Sequence, residues 1–541
     1  MKSDFEVRGL KFDVGSSAAS FNAAIRKAER DQLVGRIWNQ DHTLWKPEPT
    51  EIFNRLGWLD VAERMQAEIP SLKKFVNEAQ ADGMDRTLLL GMGGSSLAPE
   101  LFSYLFAGSS WQALSVLDST DPDAVVEKEN AHDPRRTLYI VSSKSGGTVE
   151  TKSLFKYFYN KARATLGAKE VGNHFVAITD LGSGLAKTAE MHGFRHTFLA
   201  DPNIGGRYSA LSHFGLVPAA LVGVDLHRLL SSAEGMAVLC KGNEVAQNPG
   251  AMLGLFFGTL AMEGHDKATF LFPEDKATFG DWLEQLIAES TGKEGKGILP
   301  IIREPQLSEI GNENDRVFIT LQEPGRSPHA KVEWASDYDI GAQFFLWEFA
   351  TAVAGYVLGI NPFDQPNVEA AKAQTRVIVE EYRLSGELSQ SDIKKLGWTT
   401  VEDFTNQGKP GDYIALQVYA KPSAKTTEAL QRLRVKLGNF TGLPTTIGYG
   451  PRFLHSTGQL HKGDGGNGLF IQLITPPPKD DIPIPEKAGQ TASDITFGVL
   501  KVSQALGDAQ ALRQTGRRVI SFEIEEDPTD ALNALTSDIG S

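Results

Sequence analysis

The sequence predicts an α/β protein: a helical N-terminal lead-in, two doubly wound parallel-sheet domains, and a third, smaller C-terminal α/β unit. Three observations carry this reading. Short, nearly continuous apolar runs recur at 86–93, 114–120, 137–143, 174–180 and 195–200, as suits parallel strands covered on both faces. Helical patterns such as TVETKSLFKYFYNKARATLG fill the gaps, and strands alternating with helices build a doubly wound sheet. Glycine-rich turns follow two of the strands, LLLGMGG and VSSKSGG, at the position where such folds hold ligands.

Taken in order, residues 1–80 form the lead-in. SAASFNAAIRKAERDQLVGRIW and PTEIFNRLGWLDVAERMQAEIPSLKKFVNEAQ are amphipathic with few β-branched runs, which argues helix. The five strand runs place a first α/β domain at 81–230. A second, at 231–380, is predicted from the apolar helix AMLGLFFGTLAMEG (251–264), KATFLF (267–272), the helix DWLEQLIAES, DRVFITLQ (315–322) and a helix at 340–358. The third unit, 381–541, restarts after QSDIKKLGW with GDYIALQVYA (411–420), TEALQRLRVKLGNF, TTIGYG and LFIQLITP. PPPKDDIPIPE (476–486) reads as a proline-rich surface excursion and ALTSDIGS as a frayed end.

Composition narrows the function. With 541 residues, 41% hydrophobic and 23% charged, the chain has the make-up of a globular protein of several domains. No apolar stretch reaches the roughly 18 residues a bilayer span needs, and MKSDFEVRGLKFDVG lacks a signal peptide's apolar core. The single Cys240 leaves no internal disulfide framework and no cysteine-based zinc site, and a cytoplasmic location is expected. The net charge of −14 argues against wrapping nucleic acid, though not against holding a phosphate on a few local donors. The 11 histidines are scattered, without HExxH, so no metal is expected.

The run VSSKSGGTVET (141–151) carries the strongest chemistry. Ser143, Lys144, Ser145 and Thr148 put hydroxyls, an ammonium and glycine-freed amides at a helix start, a ready anion site. It is no Walker A loop, so a monoester phosphate is the economical ligand; the alternative is a loop that only caps a helix. GMGGSS has the same placement without GxGxxG spacing, which disfavours a dinucleotide. Two such turns on neighbouring strands would line one crevice for a small hydroxylated, phosphorylated ligand.

Four motifs in chain order, SSKSGGTVET, NIGGRYSALSHFG (203–215), WLEQLIAESTGKEGKG (282–297) and NPFDQPNVEAAK (361–372), resemble the glucose-6-phosphate isomerase family. That family is built of two SIS-type sugar-phosphate domains. The lead-in RIWNQDHTLWKPEPTEIFNRLGWL and the tail YGPRFLHSTGQLHKG look more like the isomerase half of fused transaldolase/glucose-6-phosphate isomerase proteins. The resemblance implies interconversion of glucose 6-phosphate and fructose 6-phosphate through a cis-enediol(ate), with no cofactor.

Residue by residue, it implies a phosphate anchor at Ser143, Lys144, Ser145 and Thr148, and sugar contacts from Gly94, Ser95, Gln285 and Gln365. It assigns the base to Glu289, stabilisation of the enediolate to Arg207, and help in ring opening to Lys372. The residues suit those roles. Gln285 and Glu289 are four apart and share a helix face. A carboxylate in a closed pocket shifts toward neutrality, as a proton shuttle requires. A guanidinium stabilises negative charge without exchanging the proton, and Gly205 and Gly206 permit close approach to it. Otherwise Glu289 would be a solvated face, Arg207 half of a structural ion pair, and Lys372 one more charged helix residue.

Two departures stand out. Asn367 replaces the usual glycine, and asparagine tolerates the positive φ such a turn can demand. The ring-opening histidine is missing after Glu289, where STGKEGKGILPIIREPQLSEIGNEND holds none. His455 and His461, in the polar tail segment, rank above His329 as its replacement, entering from the C-terminal unit or a neighbouring subunit; ordinary loop histidines are the alternative. The resemblance further implies a homodimer and fusion or association with a transaldolase, against a C-terminal unit that completes the site within one subunit. An isomerase that also takes mannose 6-phosphate and a non-catalytic SIS regulator are the other functions. A regulator has no need of Glu289, Arg207 and Lys372 together.

Overall fold

The computed structural model describes residues 3–108, 113–305, 315–321, 328–388, 392–525 and 527–540. Among the described residues three large sheets and one two-stranded sheet carry the chain. The first is fully parallel, in the order Ala113–Leu117, Arg86–Gly91, Thr137–Ser142, Phe175–Asp180, His196–Ala200. The two turns of interest therefore follow adjacent strands, Arg86–Gly91 and Thr137–Ser142, at the carboxyl edge. Every residue of Thr137–Ser142 is buried, which is why that run is apolar rather than alternating.

The second sheet has six strands, with Lys267–Leu271, Leu299–Ile301, Arg316–Thr320 and His329–Val332 in parallel. Its remaining two strands come from the far N-terminus and correct the all-helical lead-in. Asp4–Val7 and Leu10–Asp13 form a hairpin that pairs antiparallel with His329–Val332. The turn between them holds Arg8 at φ 44° and Gly9 at φ 84°, the left-handed pair that a two-residue hairpin needs. Among the described residues one helical stretch, Asp337–Leu358, is long and apolar enough to match a bilayer span, but its helix Ile340–Leu358 packs inside the protein against Pro249–Met262 and Leu226–Cys240.

The third sheet is parallel with five strands, as many as the first: Ile393–Lys395, Arg518–Glu523, Gly468–Ile474, Tyr413–Tyr419, Thr445–Tyr449. Two expectations change here. The proline-rich stretch is not a mere surface excursion, because Pro483–Ile484 pairs with Ile495–Thr496 and buries Ile484 among Tyr157, Phe158 and Leu154 of the first unit. The chain end is not frayed either: the helix Pro528–Asp538 buries Leu532 and Leu535, and Ile539 follows them into the third core.

Between the first and third sheets runs the helix Phe497–Gln514, buried along almost its whole length. Its start packs Phe497, Val499 and Leu500 into the first unit's core, while Val502, Ala505 and Leu506 pack with Tyr419 and Phe453 of the third. Its charges are met on both sides. Lys501 reaches Asp121 at 2.9 Å and Asp508 pairs with Lys462. Buried ions need such partners, so the helix fixes the third unit against the first.

Candidate active site

The two glycine turns form a seat for the other segments. After Arg86–Gly91 the chain makes a single tight turn, Gly93–Ser95, and enters the helix Leu97–Leu105. A Cβ on Gly94 would lie 2.0 Å from the Gly206 carbonyl oxygen, so only glycine lets the GGRYS backbone come this close. A Cβ on Gly93 would lie 2.7 Å from Gln285 Nε2 and 2.9 Å from the His455 carbonyl oxygen. Three regions of sequence, near 94, 206 and 455, thus meet at one point, with the helix Ala277–Thr291 beside them.

In the second turn Gly146 has φ +65°, and a Cβ there would meet the Leu185 nitrogen at 2.4 Å. The backbone amide of Gly147 donates to Ser145 Oγ (3.1 Å), and the Ser143 and Thr148 hydroxyls are 3.2 Å apart. Thr148 precedes the helix Val149–Leu166 without capping it through its side chain. Thr148 thus leaves the first-turn amides uncapped, although the Glu150 carboxylate takes its own backbone amide.

These residues open onto a cavity of about 570 Å³ lined by Ser145, Thr148, Glu150, Lys372, His455 and Gln504, among others, a size in the ordinary range for small-molecule sites. Ser143 and Lys144 lie off its wall. Lys144 Nζ is 2.7 Å from Asp180 Oδ2 and donates to the Pro202 carbonyl at 3.3 Å. Lys372, on the helix Val368–Ser385, stands at the rim with its ammonium 2.9 Å from Glu369 Oε1.

His455 enters this cavity from the third unit. Its Nε2 is 3.0 Å from Glu150 Oε1, which also accepts from Gln504 Nε2 at 2.7 Å. Gln504 is oriented in turn by Thr120, whose hydroxyl donates to its carbonyl oxygen at 2.7 Å. Burial pushes the Glu150 carboxyl up, but the charge and hydrogen bond of His455 outweigh it and hold the group below the usual carboxylate range. His461 has a different setting, among Tyr413, Phe453 and Phe470 with Nδ1 3.2 Å from Gln417 Nε2. Burial, then the charges of Lys462 and Arg517, push its imidazolium form well out of reach at neutral pH. His329 begins the parallel strand His329–Val332 of the second sheet.

Behind His455 lie the remaining candidates. Gln285 Nε2 donates to the His455 carbonyl (2.8 Å) and to Glu289 Oε2 (3.1 Å), so the shared helix face is used as its spacing predicts. The Glu289 side chain is only 8% exposed and its Oε1 is 3.3 Å from Arg207 Nη1. Arg207 is held on every edge: Nε donates to Ser290 Oγ (2.7 Å), Nη1 to Gln365 Oε1 (3.2 Å), and Nη2 to the carbonyls of Pro362 (2.7 Å) and Asp364 (2.8 Å). The structure therefore gathers Arg207, Gln285 and Glu289 into one buried cluster, with half-buried Gly94 and exposed Gln365 at its margin and His455 between it and the cavity.

Asn367 needs no positive φ. It sits at φ −90° before the helix Val368–Ser385, and its backbone N–H and Oδ1 form a reciprocal pair with the Gln459 amide at 2.9 and 2.7 Å. The third unit thus grips the segment leading to Lys372 directly.

Sequence reasoning passed over Glu150, Gln504, Ser290 and Lys293. Glu150 lay inside the quoted phosphate motif, two residues after Thr148, where a buried acid at a helix start is a readable signal. Gln504 sits on a helix that pairs with Glu150 across 354 residues, and nothing local announces it.

A family model described as phosphoglucose isomerase matches residues 61–298, a span that includes Arg207 and Glu289 but stops short of Gln365, Lys372 and His455. A glucose-6-phosphate isomerase of Thermosynechococcus vestitus is 29% identical over 68% of this chain and 79% of its own length. One from Mycoplasmopsis pulmonis is 26% identical over 66% of this chain and 97% of its own. Among solved structures, a glucose-6-phosphate isomerase from Chlamydia trachomatis superposes with a TM-score of 0.60 at 19% identity, covering 75% of this chain and 93% of that one, a likeness of fold. These matches make the chain similar to phosphoglucose isomerases in sequence and in α/β architecture.

Proposed function

We propose that this protein is an aldose–ketose isomerase that interconverts glucose 6-phosphate and fructose 6-phosphate, using Glu289 as the base. One observation carries the reading: a buried carboxylate, Glu289, faces a buried guanidinium, Arg207, at 3.3 Å, one layer behind the His455 that lines a cavity with a serine-rich turn.

The geometry supports the following steps. The phosphate docks on Ser145, Thr148 and the first amides of Val149–Leu166, with Lys144 adding charge from behind once it swings from Asp180. His455, held by Glu150, exchanges a proton with the ring oxygen while Lys372 supplies a donor at the rim, and the chain form of the sugar results. Its C1–C2 edge then enters between Glu289 and Arg207, so that each exchanges its contact with the other for one with the substrate. Glu289 removes the C2 proton and returns it to C1, and Arg207 stabilises the cis-enediolate that forms between. Gln285 orients the carboxylate through its bond to Oε2, and Gln365 keeps the guanidinium aimed. His455 comes from the same chain as Glu289, so the reading needs no residue from a second copy.

The test is a coupled assay for glucose 6-phosphate formed from fructose 6-phosphate, with mannose 6-phosphate as a parallel substrate. Wild-type turnover with loss of about 10³-fold or more in E289Q is expected. Wild-type protein that binds the sugar phosphate without turnover would make it a regulator and end the proposal.

A further inference from the structure

The Arg207 guanidinium is gripped by a loop, and the same loop is gripped from the other side by a second cation. Lys293 lies two residues beyond the helix Ala277–Thr291 that carries Glu289. Its ammonium is only 2% exposed and donates to the Asn361 carbonyl (2.8 Å), to Asp364 Oδ1 (2.7 Å) and to the Asp364 carbonyl. Arg207 Nη2 takes the Asp364 carbonyl too, and the Pro362 carbonyl next to it. One peptide oxygen thus serves two buried cations. A buried lysine is expensive unless its charge is used, and here three acceptors converge on it from the segment that ends in Gln365.

We infer that Lys293 is a positioning residue for the isomerisation: it ties the 361–365 segment to the helix bearing Glu289 and so fixes the separation of Arg207 from the base. The inference rests on the reading of Glu289 and Arg207 given above. A strut of this kind acts on the transition state more than on substrate binding, because phosphate and ring contacts lie at the other end of the cavity. Misplacement of a catalytic pair by about an ångström costs on the order of 10²-fold in rate.

Its charge state has a consequence that geometry alone would not give. Burial, then repulsion from Arg207, lowers the Lys293 ammonium to about 7, against attraction from Asp364 and Glu289. These three groups are the charges facing it, from the GGRYS turn, the 361–365 segment and its own helix. Loss of the proton above neutrality leaves an amine with two N–H bonds for three acceptors, and the grip on Asp364 slackens.

The experiment compares K293M, K293Q and D364N with wild type in the fructose 6-phosphate assay, recording kcat, KM and the pH dependence of kcat from 6 to 9. Expected are a fall in kcat of about 10- to 100-fold in K293M and K293Q with KM changed less than about threefold, a smaller fall in D364N, and a flatter alkaline limb in both Lys293 variants. Binding of a competitive phosphorylated sugar acid, measured on the folded fraction, reports whether each variant kept its site. Wild-type kcat in a folded K293Q, or an alkaline limb identical to wild type, overturns the inference while leaving the isomerase reading intact. An inactive wild type would instead remove that reading first.

Discussion

Replacing His455 by asparagine tests the feature in which this site departs most from the family it resembles. The substitution removes an imidazole 3.0 Å from Glu150 Oε1 and leaves that carboxylate, 5% exposed, with Gln504 as its remaining side-chain donor. Two magnitudes follow. A positioned acid–base group contributes about 10² to 10⁴ in rate, so kcat on fructose 6-phosphate, which is largely ring-closed, is expected to fall by that factor. Breaking a buried pair also costs stability, about 3 kcal/mol at the low end of the usual range because Gln504 stays in place. The pH sign can be worked out. In wild type the Glu150 carboxyl is below its ordinary value, so it contributes stability above the unfolded pKa that is lost as pH falls through the folded one. Without His455 only burial remains as a large influence and the carboxyl moves up. The stability deficit of H455N should therefore be small near pH 4 and grow toward pH 6. Stopped-flow or coupled kinetics and thermal melts at both pH values give the readouts. H461N serves as the contrast, since His461 packs among aromatic rings and should cost melting temperature with kcat retained. Full turnover in H455N, or an equal kinetic loss in H461N, would refute the assignment of His455.

Two further outcomes are expected. Glu284, whose Oε1 accepts from Ser456 Oγ at 3.0 Å, is pushed up to about 7 by burial and then by Asp281. Its raised value means stability that is full below the unfolded pKa and lost as pH rises through about 7. E284Q should therefore gain on wild type between pH 4.5 and 8 by up to about 3 kcal/mol before screening on its open side, read from denaturant melts; a pH-independent difference would count against it. G94A would drive a methyl into the Gly206 carbonyl 2.0 Å away. It should destabilise by about 1–3 kcal/mol and, by displacing Arg207, lower kcat more than KM.

The central strands of the first unit, Arg86–Gly91, Thr137–Ser142 and Phe175–Asp180, were legible because they are buried nearly throughout, and the anion turn was legible from the glycines that follow one of them. The N-terminal hairpin was not, since Asp4–Val7 and Leu10–Asp13 are only four residues each and their turn is Arg8-Gly9 rather than a strong hairpin dipeptide. The burial of Ile484 and Ile539 was not legible because proline-rich and terminal segments normally lie outside; Ile484 is covered by the first unit and Ile539 by the core of its own unit. The helix spacing of Gln285 and Glu289 could be read directly. The choice between His455 and His461 could not, because both occupy one polar segment six residues apart and only the tertiary setting separates a cavity wall from an aromatic core.

The burial of Phe497–Gln514 between the first and third sheets has a bearing on how the protein is made. The cavity draws its wall from residues as far apart as Ser145 and Gln504, so a ribosome must release most of the polypeptide before a working cavity can exist. Until then the first sheet's emerging surface, including Tyr157 and Phe158, has no cover from Phe497 and Ile484. Such a nascent intermediate would be exposed to aggregation and to holdase chaperones for the whole interval, and catalytic competence would arrive late and all at once.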